Sequence, residues 1–328
     1  MTKRLTKTAL FRFLAIILMV GMPLGVHAQI ESSGFPVLQL ETSARSAALA
    51  GATTALSESS SNAFFSNPAL LTPVANGRLA VSYLNHVSDL NAGWLSYAKQ
   101  IDSLGTFGIG LRYLSFGSFT ERNDVGEEIG TFGASDIALT LAGARALNTH
   151  VHYGANLHVM RSSIASESAA ALAMDVGVTY VSTSALSSFS ASVHNLGLVL
   201  SSIGNRSDDL PLDVRIGFTQ KLAHLPLLVT LTGYRLTSLD GGESGNASVA
   251  SVLNHVRIAG EFQFSKAFQI RFGYNHRQHE SLKVKSRLDM AGFSTGIGLV
   301  IAKIGVDYSF NSWSSLGALH RFSIVSTL

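Results

Sequence analysis

The chain contains no cysteine among its 328 residues. That excludes disulfides, thiolate metal sites and a lipid-bearing Cys, so packing and ladder hydrogen bonds must hold the fold, and membrane attachment must come from the fold itself. Charge is scarce as well, at 14% of residues, against about a quarter in ordinary soluble proteins. Also missing is any uninterrupted run of 18 apolar residues beyond the N-terminal region, so no helix there spans a bilayer. Hydrophobic residues nevertheless make up 46% of the chain, with 30 glycines, and mean hydropathy is positive. An apolar chain with no helix to cross a membrane leaves the closed β-barrel, the other structure that satisfies its whole backbone in hydrocarbon.

The basic balance is local. Lys3, Arg4, Lys7 and Arg12 precede the first acidic residue, and without them 20 basic residues face 21 acidic ones. No cationic surface for nucleic acid remains. Those residues instead form the basic start of a signal peptide over 1–28, where "FLAIILMVGMPLG" leads to "VHA" and predicts cleavage after Ala28.

From Arg78 onward the chain divides into fourteen segments of about ten residues or more, the length of tilted membrane strands: 78–87, 91–101, 105–116, 134–147, 150–162, 168–182, 185–197, 210–222, 225–238, 251–264, 267–279, 288–299, 302–311 and 317–328. In "HVHYGANLHVMRS", Val151, Tyr153, Ala155, Leu157 and Val159 share one parity, opposite His152, Gly154, Asn156 and His158. "AFQIRFGYN" and "KIGVDYSFN" alternate the same way. A soluble β-sandwich alternates too, but the breaks decide the matter. They are tiny after even-numbered segments ("NT" at Asn148, "TS" at Thr183, "SK" at Ser265) and mostly long after odd-numbered ones (117–133, 197–209, 239–250). Short turns on one rim and long loops on the other are the outer-membrane pattern, with the short turns periplasmic. The reading is therefore an all-β, fourteen-stranded antiparallel transmembrane barrel over 78–328, multi-pass in the outer membrane, with both termini periplasmic.

Residues 29–77 stand outside this pattern and read as a plug, or hatch. "ETSARSAALAGA" predicts a short helix capped by Thr42 or Ser43 and ending near Gly51, and Asn67-Pro68 breaks any helix that follows.

"SARSAALAGA" followed by "AFFSNPALL" resembles the N-terminal hatch of FadL-like outer-membrane barrels, whose Asn-Pro-Ala triplet appears here as Asn67, Pro68 and Ala69. "NLG" at Asn195, then "LPLDVRIGFTQKL", "RFGYNHR" and "AGFSTGIGL", is similar to the PorV/PorQ branch of that superfamily, nearest to its PorQ-like members. The resemblance covers essentially the whole mature chain. It implies a non-enzymatic part of the type IX secretion system, holding a PorZ-like extracellular partner through the outer loops, with PorV and the sortase-like protease in the same attachment complex. The alternatives are a PorV-like cargo shuttle and a FadL-like transporter of hydrophobic small molecules.

Other motifs carry less. "GFSTG" around Ser294 has the serine-hydrolase spacing but lies within strand, not at the required strand-to-helix turn. His150, His152 and His158 share a parity without Cys or acidic support, so no metal is assigned. Neither a cofactor nor a catalytic residue is expected. Arg112, Asp175, Arg215, Arg257, Glu261, Arg271, Asp307 and Arg321 all fall on predicted inward faces. Their mixed signs favour a lumen tied by ion pairs or filled by the plug, whereas a ring of one sign would favour ion selectivity.

Overall fold

Alternating apolar and polar residues close here into one sheet whose first and last strands pair. The computed structural model describes residues 34–57, 60–85, 90–204, 209–238, 249–284 and 289–328. The expected signal peptide over 1–28, the expected cleavage after Ala28 and residues 29–33 of the expected hatch lie outside them.

Among the described residues fourteen antiparallel strands form a closed barrel, each paired with its sequence neighbours. They are β1 (Arg78–Asn85), β2 (Asn91–Ile101), β3 (Gly105–Arg122), β4 (Glu128–Ala146), β5 (Val151–Ile164), β6 (Glu167–Val181), β7 (Ser187–Ser201), β8 (Asp213–Lys221), β9 (Leu227–Gly233), β10 (Val256–Gln263), β11 (Phe268–Asn275), β12 (Phe293–Ile301), β13 (Ile304–Ser312) and β14 (Ala318–Thr327). β1 closes on β14 from Arg78 opposite Thr327 to Asn85 opposite His320. On β5, Tyr153, Leu157 and Val159 are exposed on the outer wall while Asn156, His158 and Met160 are buried inside. The same parity runs round the sheet, making an apolar exterior for lipid and a polar interior.

The wall is uneven in height. About ten tilted residues cross the apolar band of an outer membrane. β3 and β4 have 18 and 19 residues, and β5 to β7 have 14 to 15, whereas β8 to β14 have 7 to 10. One side of the barrel therefore rises beyond the other at the long-loop end.

One of the expected loops is largely strand, and the start of a second continues β7 to Ser201. Residues 117–133 form the top of the β3–β4 hairpin, turning only at 123–127, beyond a bulge between Ser115 and Ser118. In β7 the register slips where Asn195 adopts φ 60°, and its backbone N–H donates to Asp175 Oδ1 at 2.8 Å. The extra residue reverses the parity, so Leu196, Leu198 and Leu200 continue the outer face that Phe189 began. The third expected loop, 239–250, lies outside the described residues except for the start of α2 (Val249–Leu253). Segment 267–279 is strand only to Asn275, which caps α3 (His276–Leu282) by accepting from Gln278 N–H.

Residues 34–57 and 60–77 lie in the lumen. α1 (Ala44–Ala48) is capped by Ser43 and followed by short 3₁₀ turns, the last beginning at Pro73. Nearly all of this segment is buried, including Ala47, Leu49, Leu56, Phe64 and Leu70. An apolar segment avoids water only by lying inside the wall, so the segment is the barrel's core.

Candidate functional site

The plug is seated where wall side chains are absent. Gly154 on β5 and Gly177 on β6 are directly opposite each other. A Cβ on Gly154 would lie 2.6 Å from the Pro68 carbonyl, and one on Gly177 would lie 2.0 Å from Asn67 Oδ1. The glycine pair leaves a flat place on the sheet for the Asn-Pro dipeptide. Asn67 caps the turn Pro68–Leu70 by accepting from Ala69 N–H at 3.0 Å, and its Nδ2 donates to the Thr54 carbonyl at 3.1 Å. Asn67, Pro68 and Ala69 thus form a packing joint between plug and wall. Phe64 and Phe65 lean over Gly108 and Gly110 of β3 in the same manner.

Ion pairs fix the other side. Arg45 of α1 reaches Glu261 on β10 at 2.8 Å, and Arg271 on β11 meets the same carboxylate at 2.7 Å while pairing with Asp307 on β13. Arg257 meets Glu41 at 3.1 Å and lies over the Tyr234 ring, 3.9 Å from its centroid. Glu41 and Arg45 are the only charged residues between Phe35 and Ser57. That isolation, four residues apart with opposite signs, was a legible signal for plug-to-wall pairs. Each guanidinium here would be costly to bury alone and is held by a carboxylate or an aromatic face.

The remaining charges split between two clusters and one stacked cation. Arg215 pairs with Asp213 at 2.6 Å. Asp175 is approached by His158 Nε2 at 2.8 Å and His194 Nδ1 at 3.3 Å, and accepts from Asn156 Nδ2 at 3.0 Å. Arg112 donates to His158 Nδ1 at 3.1 Å, and since arginine only donates, the His158 proton sits on Nε2, toward Asp175. Arg321 is stacked over Trp94 at 4.9 Å. Ser192, His194 and Asp175 have the connectivity of a hydrolase relay, with Ser192 Oγ 2.9 Å from His194 Nε2. The Ser192 hydroxyl is buried, so the chain acts as a cross-strand tie. Ser294, likewise buried, lies on β12 with more strand after it, not at an elbow. His150 lies on the short-turn rim beside Thr149 and Thr183, away from His158.

Toward the long-loop end apolar packing dominates the lumen, with the buried Asp136 Oδ2 accepting from Val37 N–H at 3.4 Å. Leu84, Trp94, Leu114, Met160 and Leu319 line a chamber occupied by Phe35, Val37 and Leu38 of the plug. At the opposite end a cavity of about 860 Å³ opens on the short-turn rim.

No family model and no curated protein matches the chain by sequence. Solved structures match its fold. The toluene transporter TodX of Pseudomonas putida aligns at 14% identity over 88% of this chain and 97% of its own, with a TM-score of 0.57. The toluene transporter TbuX of Ralstonia pickettii aligns at 13% identity over 86% and 96%, with a TM-score of 0.54. A FadL homologue from Pseudomonas aeruginosa aligns at 12% identity over 87% and 98%, with a TM-score of 0.51. The fold is that of FadL-type outer-membrane barrels.

Proposed function

We propose that this chain is a non-enzymatic outer-membrane anchor that holds an extracellular protein on the raised side of its wall. The observation that carries the reading is the ribbon above β3 and β4. β2 pairs with β3 only as far as Ser115, and β5 pairs with β4 only as far as Ala134. Beyond those points residues 118–122 and 128–133 pair only with each other among the described strands. A two-stranded ribbon is marginal alone, and its free edges are templates for a further strand. Phe119 and Phe132 stack across it at 5.5 Å. Its tip carries Glu121, Asp124, Glu127 and Glu128, against Arg122, which pairs with Glu128. The fitting occupant is an extended, basic segment of a surface protein. The resemblance of the sequence to the PorV/PorQ branch supports a PorZ-like protein in that place, with PorV and the sortase-like protease beside it. In this reading the short-turn rim, with Gly77 and Leu328 hydrogen-bonded together, faces the periplasm.

The solved neighbours favour a second reading, transport of hydrophobic small molecules, and the apolar chamber around Phe35 would be its ligand space. Purification of the tagged barrel from mild-detergent outer membranes separates the two. An extracellular partner that co-elutes in stoichiometric amount, and is lost when Ser115 is joined to Ser135 by a tight turn, supports the anchor. A barrel that elutes alone with bound hydrophobe overturns it in favour of transport.

A further inference from the structure

Among the described residues that line it, the cavity of about 860 Å³ on the short-turn rim carries more positive than negative charge. Lys221 ends β8, Lys266 lies in the β10–β11 turn and Lys303 in the β12–β13 turn, so three successive hairpins each supply one lysine to the same opening. Arg78, at the start of β1, completes the rim. Among the described residues these four form no ion pair. The charged floor beneath them is already matched, with Arg45 and Arg271 sharing Glu261 and Asp307.

We propose that this vestibule binds a phosphate-bearing anion. A concave surface with one sign of charge and low-dielectric walls concentrates its field on the opening. Flexible ammonium groups on several sides, with one guanidinium fork, suit the spread oxygens of a phosphate better than a planar carboxylate. The volume exceeds that of a bare ion, and Val74, Val300 and Val325 line it, so there is room for an organic remainder. A phospholipid headgroup or a free phosphate would supply the same chemistry. Rim lysines could instead serve only to meet the headgroup layer. Lys99 is the internal control, because it is exposed beside the same rim but lies outside the cavity, opposite lipid-facing Phe107.

The test uses the full barrel in neutral detergent, checked for heat-modifiable migration. Binding of inorganic phosphate is measured by calorimetry. Retention of phosphatidylglycerol or phosphatidylcholine from mixed vesicles is measured by native mass spectrometry. We expect one of the phosphate-class probes to bind, with about tenfold weaker affinity in the K221Q/K266Q/K303Q variant and none of that loss in K99Q. Retained phosphatidylglycerol that inorganic phosphate does not displace identifies a headgroup, and saturable binding of inorganic phosphate identifies a free anion. The proposal is overturned if neither probe binds, if phosphatidylcholine is retained equally, if the triple variant binds like the wild type, or if K99Q weakens binding as much.

Discussion

At Gly177 the wall has no room for a side chain, because Asn67 Oδ1 occupies the place of a Cβ. Gly177→Val is expected to cost about 1–3 kcal/mol by overpacking, and to loosen the plug before the barrel. Limited proteolysis should then clip within 34–77 while heat-modifiable migration persists. Glu261 is the carboxylate that Arg45 and Arg271 share. Glu261→Gln leaves two guanidinium groups around a neutral amide, and removing one partner of a buried pair costs about 3–5 kcal/mol. A thermal melt in detergent reads that loss, and E261M/R45M should recover part of it. These joints were half legible. Glu261 and Arg271 showed themselves as inward charges by parity alone. The glycine seats did not, because a glycine on a lumen face reads as a gap in the pattern until the segment packed against it is known.

At the scale of elements, period-two alternation located all fourteen strands in order, since one face meets lipid and the other does not. It failed where a residue is added. Past Asn195 the parity of β7 reverses, so its last residues looked like loop although Leu198 and Leu200 extend the outer wall. The bulge after Ser115 hid the upper part of β3 in the same way. Helix α2 blurred the start of β10 because a short apolar stretch fits both periods, and polar α3 blurred the end of β11 because it follows Asn275 with no break. Asn195 itself is testable. Its φ of 60° suits Gly or Asn and strains a β-branched residue. Asn195→Val should therefore destabilise the barrel by about 1–3 kcal/mol in a denaturant titration, whereas Asn195→Gly should stay near wild type.

For the molecule as a whole, the two proposed readings part at the plug. Apolar packing around Phe35, the glycine seats under Asn67-Pro68 and the Arg45–Glu261 pair hold it at three levels of the lumen. An anchor needs only a stable barrel and its raised ribbon, whereas a transporter needs the plug to yield. The absence of native cysteine makes the distinction measurable. Ser61 of the plug and Ser96 of β2 face each other with hydroxyl oxygens 2.9 Å apart, so S61C/S96C can tie plug to wall with a single disulfide. The decisive measurement is function of the oxidised barrel in cells. The anchor account predicts that the extracellular partner stays on the surface in wild-type amount with the plug locked. Loss of that retention on oxidation, restored by reductant, would contradict it.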